Sequence, residues 1–197
     1  MVHERSSIAA GRARRGLTKS AVAGLLLAIG IGLGPAAAAD DPLLSRLAGE
    51  WIGQGMVRMS PVSEPERIYC KVANRLVDGG SVLEQKGRCA VASNSGSLKG
   101  RIAARGEGRY EGSLDSPQTA GPATLAGQAA DDKIVLSAQF IDRFSRRPSL
   151  SIISLIVSDN GDYRLVSDTL NPESGKHFQT SDIIFKPNKE KTKPSTN

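Results

Sequence analysis

Residues 66–91 read ERIYCKVANRLVDGGSVLEQKGRCAV, and this stretch decides the fold. Asp78-Gly79-Gly80-Ser81 is a hairpin turn signal, because glycine reaches positive φ at little steric cost. Centring the turn between Gly79 and Gly80 sets Cys70 opposite Cys89. The same register sets Arg75 opposite Glu84 on one face, and on the other Leu76 opposite Leu83 and Val72 opposite Gly87. Ile68 and Val91 share the cysteine face, so that face is the buried one. A two-residue loop would place the cysteines at a hydrogen-bonded pair. Cross-strand disulfides favour the closer, non-hydrogen-bonded pairs, so a bulge or a longer loop is expected. Cys70 and Cys89 are the only cysteines of the chain, and an even pair at short spacing predicts a disulfide in an oxidising compartment. Closing such a loop stabilises by ~3 kcal/mol in the entropic account.

Upstream, LAGEWIGQG (47–55) continues in alternation through Val57 and Met59, with Trp51, Gly53, Gly55, Val57 and Met59 on one side of a strand. Before it, Asp41 can cap a short helix with Pro42 at its first position and Leu43, Leu44 and Leu47 on one face. Downstream, strands are expected near 97–104, 108–114, 123–129, 133–141, 149–157, 163–169 and 177–185. Turn residues separate them at 93–96, 105–106, 131–132, 159–162 and 171–175. Short, uniform connections and the lack of a long helical pattern predict an all-β, antiparallel up-and-down lipocalin-like barrel of about 8–10 strands, opened by the short helix.

The N-terminus is set apart from the fold. Arg5, Arg12, Arg14, Arg15 and Lys19 precede an apolar run, Ala21–Leu33, and then Pro35 and Ala36–Ala39. This is a signal-peptide pattern with cleavage expected after Ala39. The run is shorter than the ~20 residues a spanning helix needs, so no stable membrane span is expected after cleavage. Arg14-Arg15-Gly16-Leu17-Thr18-Lys19 matches a twin-arginine motif only in part, and a Sec leader is the better reading. The expected organisation is a signal peptide at 1–39, a barrel at 40–185 and a disordered basic tail at 186–197. The protein is then periplasmic or secreted. The leader's five cations against Glu4 supply +4 of the chain's net +6, and the tail supplies +3, so the body is near −1. A basic face for nucleic acid is thereby excluded.

LAGEWIGQG, Cys70, the DGGSVLEQ turn and the GRCA around Cys89 resemble a group of small exported alphaproteobacterial proteins with an LAGxWxGxG…C…RCA pattern. The likeness spans about residues 47–141, and the Trp-x-Gly-x-Gly opening is similar to lipocalin-like barrels in general. The resemblance implies an exported lipocalin-like barrel and transfers no catalytic residue.

Few residues suggest chemistry. His177 is the one histidine after the leader, and a haem role for it is weaker than that of a strand-edge residue. No G-x-S-x-G elbow is present, so no acyl-transfer triad is expected. Asp159-Asn160-Gly161-Asp162 lacks the carboxylates of an EF-hand and reads as a turn. Arg143, Phe144, Arg146 and Arg147 gather three cations around an aromatic ring, a loop able to grip an anionic partner. Trp51 lines a cavity or, more often in such barrels, plugs one end. Asn74, Gln85 and Asp182 are candidates for an inward polar lining. The strand at 150–157 is apolar on both faces, hence either doubly covered or an outward patch. These readings predict a non-enzymatic envelope module, without cofactor or metal, holding a small apolar ligand or meeting an envelope component. The alternative is a structural or protein-interaction role. A lumen of ~300 Å³ or more would mark ligand binding.

Overall fold

The structure, a computed structural model, describes residues 40–189. Helix α1 spans Pro42–Leu47 and is followed by ten strands among the described residues. These are β1 (Gly49–Val57), β2 (Glu66–Val77), β3 (Val82–Ala90), β4 (Ser95–Ala104) and β5 (Arg109–Asp115). They continue as β6 (Ala123–Ala130), β7 (Lys133–Ile141), β8 (Pro148–Val157), β9 (Tyr163–Leu170) and β10 (His177–Pro187). Each pairs antiparallel with its neighbour in sequence, and β1 closes the barrel on β10. The up-and-down barrel is therefore present. Closure leaves no sheet edge unpaired, which removes the usual liability of an all-β chain.

The hairpin has the expected register, with Cys70 opposite Cys89, Val72 opposite Gly87 and Leu76 opposite Leu83. The loop is longer than two residues: Asp78, Gly79 and Gly80 all take positive φ, at 52°, 64° and 81°. With that four-residue turn and no bulge, the cysteine Cα atoms lie 4.1 Å apart, the spacing of a non-hydrogen-bonded pair. The disulfide forms there. Arg75 does face Glu84 in register, but the Glu84 carboxylate takes its ion pair from Arg101 on β4, at 3.0 Å. Arg101 lies directly across from Glu84 on that side and bonds Asp78 as well.

Helix α1 stops one end of the barrel. Asp41 accepts from the Leu43 and Leu44 amides at 3.1 and 2.9 Å, which caps the helix and fixes its entry. Leu43, Leu44 and Leu47 are buried. The Leu47 carbonyl, orphaned by the helix end, accepts from both the Trp51 indole at 3.0 Å and the Asn74 amide at 2.8 Å. Trp51 stands edge-on to Tyr163, which stacks on Phe185 with centroids 4.5 Å apart. Gly53 makes room for this stack, since a Cβ there would collide with the Phe185 ring. The Trp-Ile-Gly segment is thus one packing unit.

The sheet extends past the expected boundary at Phe185. Trp51 pairs with Pro187, and the Asn188 amide donates to the Glu50 carbonyl at 2.8 Å. The proposed signal peptide at 1–39 and the tail from residue 190 on lie outside the described residues.

Candidate ligand cavity at the barrel mouth

Strand alternation turns one face of every strand into the lumen, so the lumen's chemistry follows from strand phase. At the end opposite α1, the loops 58–65, 91–94, 116–122, 142–147 and 171–176 surround a cavity of about 190 Å³. Its walls include Ile68, the Cys70–Cys89 disulfide, Val91, Leu98, Leu114, Phe140, Ile153 and Ile183. Beneath it a second space of about 80 Å³ is lined by Asn74, Gln85 and Tyr163 among aliphatic side chains. Leu98, Leu114, Ile153 and Leu165 line both spaces, so the two meet there. Among the described residues, neither lining contains a charged side chain. Even together the spaces fall short of the ~300 Å³ of a drug-sized pocket. The lumen therefore misses the size set above as the mark of ligand binding: it is partly filled, and what it could hold is restricted to a small guest.

One wall of the mouth is polar. Ser151 on β8, Ser167 and Thr169 on β9 and Thr180 on β10 form a chain of hydroxyls. The links are Ser151 to Thr169 at 2.6 Å, Thr169 to Thr180 at 3.2 Å and Thr180 to Ser167 at 2.7 Å. Thr180 Oγ1 also donates to the Ser167 carbonyl at 3.2 Å. That direction commits the Thr180 proton and leaves its oxygen to accept from its neighbours. The outer members, Ser151 and Ser167, then keep spare lone pairs on the cavity side. Sequence reasoning missed this group. Ser151 is in phase with Ile153, Leu155 and Val157, and Ser167 with Tyr163 and Leu165, so alternation alone points them inward. Thr180 is hidden by a bulge between Gln179 and Ser181, which reverses the phase of β10.

The same bulge corrects Asp182. It faces outward and holds Arg164 through two bonds at 2.7 and 2.6 Å. Hydrogen bonding to Arg164 keeps its carboxyl below the usual aspartate value. Asn74 and Gln85 do face the lumen, and Gln85 donates to the Asn74 carbonyl oxygen at 3.0 Å. Burial raises the Tyr163 phenol above its ordinary pKa of ~10, with Asn74 pulling the other way, so the hydroxyl is protonated.

Trp51 lies at the closed end, outside the mouth cavity, and acts as the plug. Arg143, Phe144, Arg146 and Arg147 lie at the mouth end, on the loop between β7 and β8, and none lines the cavity. Arg143 is structural: its guanidinium donates twice to the Thr119 carbonyl, at 3.2 and 3.0 Å, and ties the loop to its neighbour. Asp142 accepts from the Phe144 and Ser145 amides, which turns the loop outward. Phe144 is left 65% exposed, with Arg146 and Arg147 beside it in solvent. His177 is exposed near the rim and lines neither space. Residues 159–162 form the expected turn, closed by Ser158 and Asp162. On β8, Ser151, Ile153, Leu155 and Val157 point inward, while Leu150, Ile152 and Ile156 form a half-buried outer stripe.

No protein-family model matches the chain, and no curated protein matches it in sequence. The fold has a solved counterpart. The S-type phycobiliprotein lyase CPES from Guillardia theta superposes with a TM-score of 0.54, covering 75% of this chain and 92% of that one, at 12% identity. At that identity the likeness establishes a shared lipocalin-like fold. It also corrects the expectation of a non-enzymatic module, because a protein with this fold, the lyase, is an enzyme.

Proposed function

We propose that this chain is an exported barrel that takes a small, uncharged, apolar molecule into its mouth. The observation that carries the reading is the lumen: an apolar cavity of about 190 Å³ with one hydroxyl wall and no charged lining residue among the described residues. Transferring an ionised group there would go uncompensated, whereas a neutral aliphatic guest gains by burial. The solved lyase barrel supports a ligand-holding role for such a fold. The disulfide fits an oxidising compartment outside the cytoplasm, in keeping with the leader pattern and the likeness to small exported alphaproteobacterial proteins.

The charge distribution favours an anionic envelope surface as the place where the mouth works. Arg58, Arg143, Arg146, Arg147 and Lys176 stand at the mouth end against Glu64, Asp142 and Glu173. The loops at the closed end carry Asp78, Glu107, Asp131, Asp132, Asp159 and Asp162 against Arg105. Such a polarity turns the mouth toward negative charge. Phe144 and Val62, 65% and 93% exposed, are apolar tips on the same side. A structural or protein-interaction role is the second reading, favoured by the outer stripe of β8 and by Ile184 on β10, 47% exposed and separated from that stripe by β9.

Native mass spectrometry of protein recovered from the exported fraction tests the main reading. A single small neutral adduct, lost on denaturation, is the expected result. A bare chain that also fails to take up the uncharged fluorophore N-phenyl-1-naphthylamine would sink it. Co-sedimentation with phosphatidylglycerol vesicles tests the rim. Binding should fall when Arg146 and Arg147 are changed to Glu, and equal retention by both proteins would remove the envelope-facing role.

A further inference from the structure

The lower lumen holds a polar group that the fold leaves unused. Tyr163 is 2% exposed, and its hydroxyl proton has no acceptor among the described residues: the neighbouring Asn74 amide nitrogen acts on the phenol oxygen only as a donor. Its ring is fixed by Phe185 and Trp51, so the hydroxyl is held in place by packing. Beside it, the Asn74 amide nitrogen donates to the Leu47 carbonyl, which settles the orientation of that amide. Gln85 must then present its nitrogen to Asn74 Oδ1. Gln85 Oε1 is left without a hydrogen bond among the described residues. The cavity of about 80 Å³ therefore receives one O–H donor and one C=O acceptor. A buried hydroxyl is seldom left so, because nothing offsets its lost hydration, while Gln85 is half-buried.

We propose that Tyr163 and Gln85, set by Asn74, form a recognition point for the terminal hydroxyl of an aliphatic alcohol whose chain fills the lumen above. This rests on the ligand-binding reading given above and names the guest's chemistry. A hydroxyl accepts from Tyr163 and donates to Gln85 Oε1, satisfying both. A ketone would leave Gln85 Oε1 unpaired, and a carboxylate would bring a charge that no lining cation balances. The aliphatic ring of Leu98, Leu114, Ile153 and Leu165 then surrounds the chain where the two spaces meet. If each heavy atom takes about the ~30 Å³ of a water molecule, the two spaces hold roughly eight to ten of them. The class is a medium-chain alcohol.

The test is displacement of N-phenyl-1-naphthylamine from the disulfide-intact mature chain by 1-nonanol, 2-nonanone and nonanoate at neutral pH. 1-Nonanol should compete at about a tenfold lower concentration than either. Tyr163→Phe should lower the nonanol affinity about tenfold. Its ligand-free Tm should be unchanged or higher, since it deletes a hydroxyl whose proton is unpaired, and the fluorophore affinity of each variant is measured directly and entered into its displacement constant. Gln85→Leu should erase the preference for the alcohol over the ketone. Equal competition by alcohol and acid, or an unchanged nonanol affinity in Tyr163→Phe, would overturn the proposal while leaving the cavity reading standing. A fall in the ligand-free Tm of Tyr163→Phe would also overturn it, because the hydroxyl would then serve the fold through a resident water. If the wild-type chain takes up neither fluorophore nor alcohol, the ligand-binding reading itself fails.

Discussion

The two ends of the barrel are built on different terms. At the closed end, polar groups serve packing. Asp41 caps α1 and accepts from the Tyr110 hydroxyl, and one backbone carbonyl takes both the Trp51 indole and the Asn74 amide. At the mouth, polar groups line empty space, as the Ser151–Thr169–Thr180–Ser167 chain does. The contrast teaches that stability is concentrated where the lumen is filled, and that the open end is left for exchange with the surroundings. The Tyr163–Asn74–Gln85 group sits at the boundary, held by the packed end and facing the empty one.

The largest expected effect comes from breaking the packed end. Trp51→Ala removes a side chain that meets Tyr163 edge-on and bonds the helix end, and should cost about 3–5 kcal/mol. Urea denaturation with the disulfide intact measures it. A loss under ~1 kcal/mol would mean that the aromatic stack is not what holds this end.

That end also shows what the sequence could and could not reveal. The hairpin register was legible because turn chemistry and a period-two pattern agree over one continuous stretch, 66–91. The helix cap was legible for the same local reason. The aromatic stack was not, since Trp51, Tyr163 and Phe185 come from β1, β9 and β10, and closure of the barrel alone brings them together. The hydroxyl wall was half legible. Ser151 and Ser167 follow strand phase, while the bulge beside Thr180 shifts β10 and sends Asp182 outward. A bulge leaves little trace in residue type, so alternation read through it assigns the wrong face. At the rim, the arginine cluster was visible in sequence, but Arg143's role in pinning the Thr119 loop depends on a contact between distant segments.

The next effect in size sharpens the comparison from the other side. The Cys70–Cys89 bond lines the mouth, yet its contribution acts mainly through the unfolded chain. Cys70→Ala with Cys89→Ala should lower stability by about 3 kcal/mol. Much of that should come without loss of the closed-end packing, so near-ultraviolet circular dichroism from Trp51 and Tyr163 should persist in the folded variant. If that signal vanished while the far-ultraviolet signal stayed, the two ends would not be separable as described.

The smallest effect uses pH. Tyr110 and Tyr163 both belong to the closed end, and both phenols are raised above their ordinary ~10. Burial is the main cause in each, with the hydrogen bond and charge of Asp41 adding to it at Tyr110. A raised folded pKa means that the folded state holds its proton more tightly than the unfolded chain does. The stabilisation is therefore complete below ~10 and is lost as pH rises from there toward the folded value. Urea midpoints should be flat between pH 8 and 9.5 as far as these groups are concerned, and should decline above ~10. Tyr163→Phe removes one of the two raised phenols, so its decline should be shallower than that of the parent chain. Tyr69, exposed on the outer wall near the mouth, serves as the control. A Tyr69→Phe variant that flattened the alkaline decline as much as Tyr163→Phe would place the sensitivity outside the packed end and undo the contrast between the two ends.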